Sequence, residues 1–296
     1  MNLEELNAHR KTVETQFGRF AHVDAGDGPA AVFVHGVFVS AYVWRQVIDL
    51  VAGERRCIAY NLPGHGGSTV SRDQDLSLPA QAEMLEMFCD ALGLDEVDLV
   101  ANDTGGAIAQ AFAVRRPELL RTLTLTNCEA HDVLPSPDPF AQLAAEMAGR
   151  GELAPLLAEQ ATDPEFARGE GGLGVGFEHP ERLTPEDVRG YLQPHFSTVE
   201  NARVVERSLA SLDREQLLAI EPALRRLEVP TLIVWGTGDR FFDVELAYWL
   251  RDAIPGATEV VEIEGGALFW PGERGEELVP HLRRHWAAAT AARQPA

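Results

Sequence analysis

The run "AAVFVHG" at residues 30–36 is apolar without alternation, the pattern of a strand covered on both faces within a mainly parallel sheet. Further strands are read in "RRCIAYN" (55–61), "EVDLVAND" (96–103) and "LRTLTLTNC" (120–128). Segments with helical spacing separate the runs: 40–51, where Val43, Trp44, Val47, Ile48 and Val51 follow a Ser40 cap, then 77–94 and 105–117. Such alternation implies right-handed βαβ units and an α/β fold. Ahead of them, "FGRFAHVDAG" alternates and ends in glycine, as an antiparallel edge hairpin does.

The alternation stops at Glu129. Proline and glycine clusters ("LPSPDPF", "GEGGLGVGF") then lie between short amphipathic helices, which predicts a helical cap over 129–221 inserted into a core domain of 1–128 and 222–296. Beyond it, "VPTLIVWGTGD" and "ATEVVEIEGG" resume as strands around the helix "VELAYWLRDAI", and "ERGEELVPHLRRHW" forms a last helix. The tail "AAATAARQPA" is expected to fray. A chain of 296 residues is long enough for one core with such an insertion.

Charge narrows the partners. A formal net charge of −21 argues against nucleic acid and anionic membranes, because phosphate contacts need clustered cations. No stretch is free of polar breaks over the ~20 residues a bilayer crossing needs. The opening "MNLEELNAHRKTVETQ" has no apolar signal core, so a cytoplasmic location is expected. Cys57, Cys89 and Cys128 are odd in number and far apart, which predicts reduced core thiols, with Cys128 near a site. No metal or organic cofactor is implied, since "HExxH", cysteine-pair, P-loop and dinucleotide-binding spacings are all missing. Oligomeric state is left open, a homodimer being one option.

Asp103 is the residue with a chemical claim. In "LVANDTGGAIAQAF" (99–112) it sits between small residues at minus two and plus two, Ala101 and Gly105. A sharp strand-to-helix turn demands this, and the pattern is G-x-S-x-G with Ala for the first Gly and Asp for Ser. An acid there also fits a helix N-cap. Together with His35-Gly36, "NLPGHGGS" (61–68) and "WGTGD" ending at Asp239, the chain resembles the α/β-hydrolase superfamily. Within it, the elbow resembles the aspartate-nucleophile branch of haloalkane dehalogenases and epoxide hydrolases. The resemblance spans nearly the whole chain and implies a mostly parallel sheet flanked by helices, with an inserted cap. Asn61 stands where its motif usually has aspartate.

The resemblance also implies roles. The N–H groups of Thr104 and of Val37 or Phe38 would form an oxyanion hole, Asp239 would orient a histidine, and Glu129 would sit where some dehalogenases carry the alternative acid. In that branch the histidine follows the last strand. Here the loop reads "IEGGALFWPGERGEEL", and Ala267 takes its place. An ester formed on Asp103 would then accumulate, because a general base worth ~10²–10⁴-fold is gone. His131 and His195 are the candidate substitutes, while His35 is expected to brace its loop. If Asp103 shares a dry pocket with Glu129 or Asp239, one carboxyl stays protonated beside one that ionises, an acid and base pair.

Dehalogenation is disfavoured, because Thr104 and Val37 stand where the branch places the indole and amide that hold a halide. Epoxide opening there uses two cap tyrosines, and this cap has one, Tyr191. A serine-type esterase lacks its hydroxyl at the elbow. Phe38, Val39, Trp44, Phe140, Phe196, Phe241, Phe242, Leu268, Phe269 and Trp270 are expected to line a pocket for a small hydrophobic organic substrate. Three functions follow as expectations. The first is an enzyme using Asp103 as acid, base or slow nucleophile, in epoxide opening, cyclisation, elimination or slow hydrolysis. The others are a conventional hydrolase with a displaced histidine and a silent ligand-binding protein.

Overall fold

The computed structural model describes residues 1–193 and 195–293. Its nine strands are β1 (Arg10–Thr15), β2 (Gly18–Ala25), β3 (Ala30–Val34), β4 (Arg56–Tyr60), β5 (Thr69–Val70), β6 (Val97–Asn102), β7 (Leu120–Thr126), β8 (Thr231–Gly236) and β9 (Ala257–Ile263). They form one sheet in the order β1-β2-β4-β3-β6-β7-β8-β9, with β5 paired to β2. From β4 to β9 neighbours run parallel, whereas β2 is antiparallel to β1, β4 and β5. This is the α/β-hydrolase architecture that the sequence leads one to expect.

Burial explains the strand sequences. Every residue of β6, β7 and β8 is buried, so these strands are mostly apolar or small, and the buried charges Asp98 in β6 and Arg121 in β7 are paired with each other. The edge strand β9 keeps Glu259 and Glu262 outside, and the polar β1 is mostly exposed. Edge position is why β1 carries no apolar signal, and the two-residue β5 is too short to show one.

Helices depart from expectation in two places. The segment 40–51 is split into a 3₁₀ turn, Ala41–Trp44, and a helix, Arg45–Val51. Ser40 caps the first, accepting the Tyr42 N–H at 3.2 Å. The last helix runs over Gly275–Arg293 and does not stop at Trp286. Alanine's helix propensity carries it on, and Thr290 bonds back to the Trp286 carbonyl at 2.8 Å. Of the tail expected to fray, residues 287–293 are therefore helical and 294–296 lie outside the described residues.

Between β7 and β8 the chain contributes helices only, among them Pro139–Arg150, Leu153–Gln160, Pro185–Leu192 and Val199–Ser211. The following helix, Arg214–Leu224, packs against the core helix Thr104–Arg115. The strand order places the site. The chain leaves β3 towards β4 on one side and returns to β6 on the other, which opens a crevice at the carboxyl ends of β3 and β6. His35, Gly36 and Val37 follow one strand and Asp103 follows the other.

Candidate functional site

Asp103 has φ 56° and ψ −140°, a region that costs ~1–3 kcal/mol for a residue with a Cβ. The turn is pinned by the Asp103 N–H donating to Asn127 O at 2.7 Å and the Gly106 N–H donating to Asp103 O at 2.7 Å. Close approach explains the small neighbours. A Cβ on Gly105 would lie 2.5 Å from the His35 carbonyl oxygen, and one on Gly36 would lie 1.9 Å from Asp103 Oδ2. The Asp103 side chain does not cap its helix. It turns towards the crevice, where Oδ2 accepts the Val37 N–H at 3.2 Å and the Thr104 N–H also bonds the carboxyl.

Two more carboxyls approach it. Glu129 follows β7, and its Oε1 accepts from Thr104 Oγ1 at 3.0 Å. Asp239 follows β8, accepting from Asn127 Nδ2 at 2.9 Å and from the Phe241 N–H at 2.8 Å. All three act electrostatically on the buried Cys128 thiol, which burial above all pushes well above its ordinary range. Cys57 and Cys89 are likewise buried and unbridged.

Burial sets the charge state. It pushes Asp103 up to about 7, the two N–H bonds offsetting part of the effect. Asp239 is also raised to about 7 by burial, with Asp103 adding repulsion. Glu129 is held well above the usual carboxylate range by burial and by the Asp103 charge. Burial therefore favours the neutral form of both carboxyls, and the Asp103 charge adds to that preference at Glu129.

Among the described residues no imidazole acts on the Asp103 carboxyl. Ala267 lies buried in the loop after β9, which docks beside the elbow through Asn102 Nδ2 donating to Leu268 O at 3.0 Å. His131 faces away, bonded through Nδ1 to Glu221 at 3.1 Å and stacked on Trp249. His195 is buried against His65, its Nδ1 accepting the Gly66 N–H at 3.4 Å. His35 bonds the Gly36 carbonyl at 2.7 Å and accepts the Leu62 N–H at 3.1 Å, so it braces the loop as expected.

A cavity of about 360 Å³ opens above Asp103. Val37, Phe38, Thr104, Glu129, Phe140, Phe241, Phe242, Leu268 and Phe269 border it, as expected. Trp44, Tyr191, Phe196, Val39 and Trp270, together with His131 and His195, do not. The reasons are specific: Trp44 packs on Phe33 in the core, Phe196 packs on His195, and Tyr191 takes a hydrogen bond from Arg45 at 2.8 Å. Trp270 Nε1 is turned to Asn127 Oδ1 at 2.8 Å. Sequence reading missed Leu157, Gln160, Phe166 and Leu173, which complete the wall from the helical insertion. The amphipathic spacing of those helices marks an apolar face without saying what it covers. Among the described residues no cluster of His, Cys, Asp and Glu could hold a metal, and no helix is long and apolar enough to cross a membrane.

Residues 29–269 match the family described as alpha/beta hydrolase fold. The chain belongs to that family. Haloalkane dehalogenase 2 of Mycobacterium tuberculosis is 28% identical over 238 residues, 76% of each chain. A monoacylglycerol lipase of Xenopus laevis is 26% identical over 80% of this chain and 69% of its own. Among solved structures, an ancestral haloalkane dehalogenase superposes with TM-score 0.80 at 23% identity, covering 95% of this chain and 99% of that one. These structural likenesses establish the fold.

Proposed function

We propose that this α/β-hydrolase-family protein is an enzyme that moves protons on a small apolar substrate, with Asp103 as base and neutral Glu129 beside it as acid. One observation carries the reading. Asp103 is a buried carboxyl held at about 7 on the floor of an apolar cavity, next to a carboxyl that stays protonated. A base is most effective when its pKa lies near the working pH. Nucleophilic use of Asp103 would leave an ester, and the loop position that supplies the water-activating imidazole in the resemblance holds Ala267. Displacement by His131 or His195 finds no support in where those rings lie.

A neutral aromatic probe, 5-nitrobenzisoxazole, tests the reading. Asp103 takes its C3 proton, the C–H electron pair forms the nitrile, the N–O bond breaks and a coloured cyanophenolate leaves. The rate should climb with pH and level off above about 7, because the base is the ionised form. Asp103→Asn should lower it by at least ~10²-fold, and His131→Ala should leave it unchanged. An Asp103→Asn rate equal to that of the unmodified protein refutes the proposal.

A further inference from the structure

The cavity has acids and no cation. Its floor presents Asp103 and Glu129, Asp239 lies behind, and no Lys, Arg or His borders it among the described residues. Among the described residues no basic side chain is among the largest influences on any of the three carboxyls. Glu129 is only 5% exposed, and its Oε2 has no hydrogen-bond partner. A polar oxygen left this way in a dry site is costly unless a ligand satisfies it. Above the floor stand Phe38, Phe140, Phe241, Phe242 and Phe269. Carboxylates beneath aromatic rings form a site suited to a cation, since the rings add attraction to the charge pairing.

From the uncompensated carboxyls, the orphaned Glu129 oxygen and the aromatic walls, we infer that the substrate is an apolar amine whose ammonium sits between Asp103 and Glu129. The inference rests on the proton-transfer reading and names its substrate class. The ammonium supplies the positive charge that the site lacks and donates to Glu129 Oε2, while the hydrocarbon body fills the cavity of about 360 Å³. Carboxylate substrates are rejected, because a further anion would face ionised Asp103 with no cation to receive it. Binding ionises Asp103, which burial had kept protonated, while Glu129 stays neutral and accepts through its free carboxyl oxygen, so the ligand expels a proton below about pH 7.

Three probes of one shape decide it by calorimetry: adamantan-1-ylmethanamine, adamantan-1-ylmethanol and adamantane-1-carboxylate. Near neutral pH the amine should bind at least ~30-fold more tightly than the alcohol, and the carboxylate should not bind at about 1 mM. Runs in buffers of different ionisation enthalpy should show proton release for the amine at about pH 6 and none for the alcohol. Asp103→Asn combined with Glu129→Gln should abolish the preference, and a melt confirms that this variant folds. Equal binding of amine and alcohol, failure of the amine to bind, or a preference that survives the double substitution would each overturn the inference. So would amine binding without proton release, a result that needs no variant. If the amine fails while benzisoxazole turnover still depends on Asp103, the substrate class falls and the proton-transfer reading stands.

Discussion

Ala267→His should convert Asp103 from a dead-end nucleophile into one that turns over. Benzyl bromide serves as the probe: a carboxylate oxygen of Asp103 displaces bromide, the C–Br bond breaks and a benzyl ester forms. In the unmodified protein the ester should persist, because no imidazole lies near enough to activate water. Position 267 is in the loop fastened to the elbow by the Asn102–Leu268 hydrogen bond, and the Asp103 charge reaches Asp239 beyond the end of β8. An imidazole introduced there would act as the general base. It should clear the ester ~10²–10⁴-fold faster, the usual worth of a general base. Intact-mass spectrometry follows the adduct directly. Equal adduct lifetimes in both proteins would mean that position 267 does not reach the reacting carbon.

Removing the Asp103 charge should stabilise the fold at alkaline pH. The folded-state pKa of about 7 lies above the ordinary aspartate value of 3.8, so the native state binds the proton more tightly than the unfolded chain does. Stability from that proton is fully present below about pH 4 and is lost as the pH rises through about 7. Asp103→Asn keeps the size and lets an amide oxygen accept from Val37 and Thr104. Asparagine also tolerates positive φ better than most residues. Its stability advantage should grow by about 1.4 kcal/mol per pH unit from about 4 to about 7 and then flatten, at no more than about 4 kcal/mol. Thermal melts should therefore show a gain of roughly 5 °C or more at about pH 8 and a clearly smaller one at about pH 5. A loss at both pH values would make Asp103 a structural residue.

The two effects share a cause. In an enzyme that completes an ester cycle, a histidine relay compensates the elbow charge. Here burial raises the Asp103 carboxyl, and that costs stability where the carboxyl is ionised. Glu129 belongs to the same balance. Burial above all holds it high and the Asp103 charge adds to this, so Asp103→Asn should let the Glu129 carboxyl fall.

β3 and β8 were legible because strands buried on both faces write themselves as apolar runs, whereas β6 and β7, which bury Asp98 and Arg121, were legible from the alternation of strands with helices. The elbow was legible because its backbone tolerates only small neighbours, a steric demand that Ala101 and Gly105 record. Glu129 could be placed because it follows β7, the strand next to that of the elbow, and Asp239 because it follows β8, one strand further along the same sheet edge. The aromatic residues were harder. Trp44, Tyr191 and Phe196 are apolar and near the site in sequence logic, yet their rings pack into the core or onto a neighbouring side chain. A residue's type fixes its wish to be buried but not the direction of the ring. For the same reason the wall formed by Leu157, Phe166 and Leu173 carried no signal beyond that of ordinary amphipathic helices.

The titration of one carboxyl tests the central claim most directly. Difference infrared spectra of the unmodified protein against Asp103→Asn, recorded across pH, contain the Asp103 carboxyl stretch, and the same subtraction repeated in a Glu129→Gln background removes the accompanying Glu129 band. In that background a group protonated at about pH 5 and ionised above about 7 is the predicted result, set by burial without a cation. A carboxylate already ionised down to about pH 4 would place Asp103 in water or beside a positive charge, and would contradict the account.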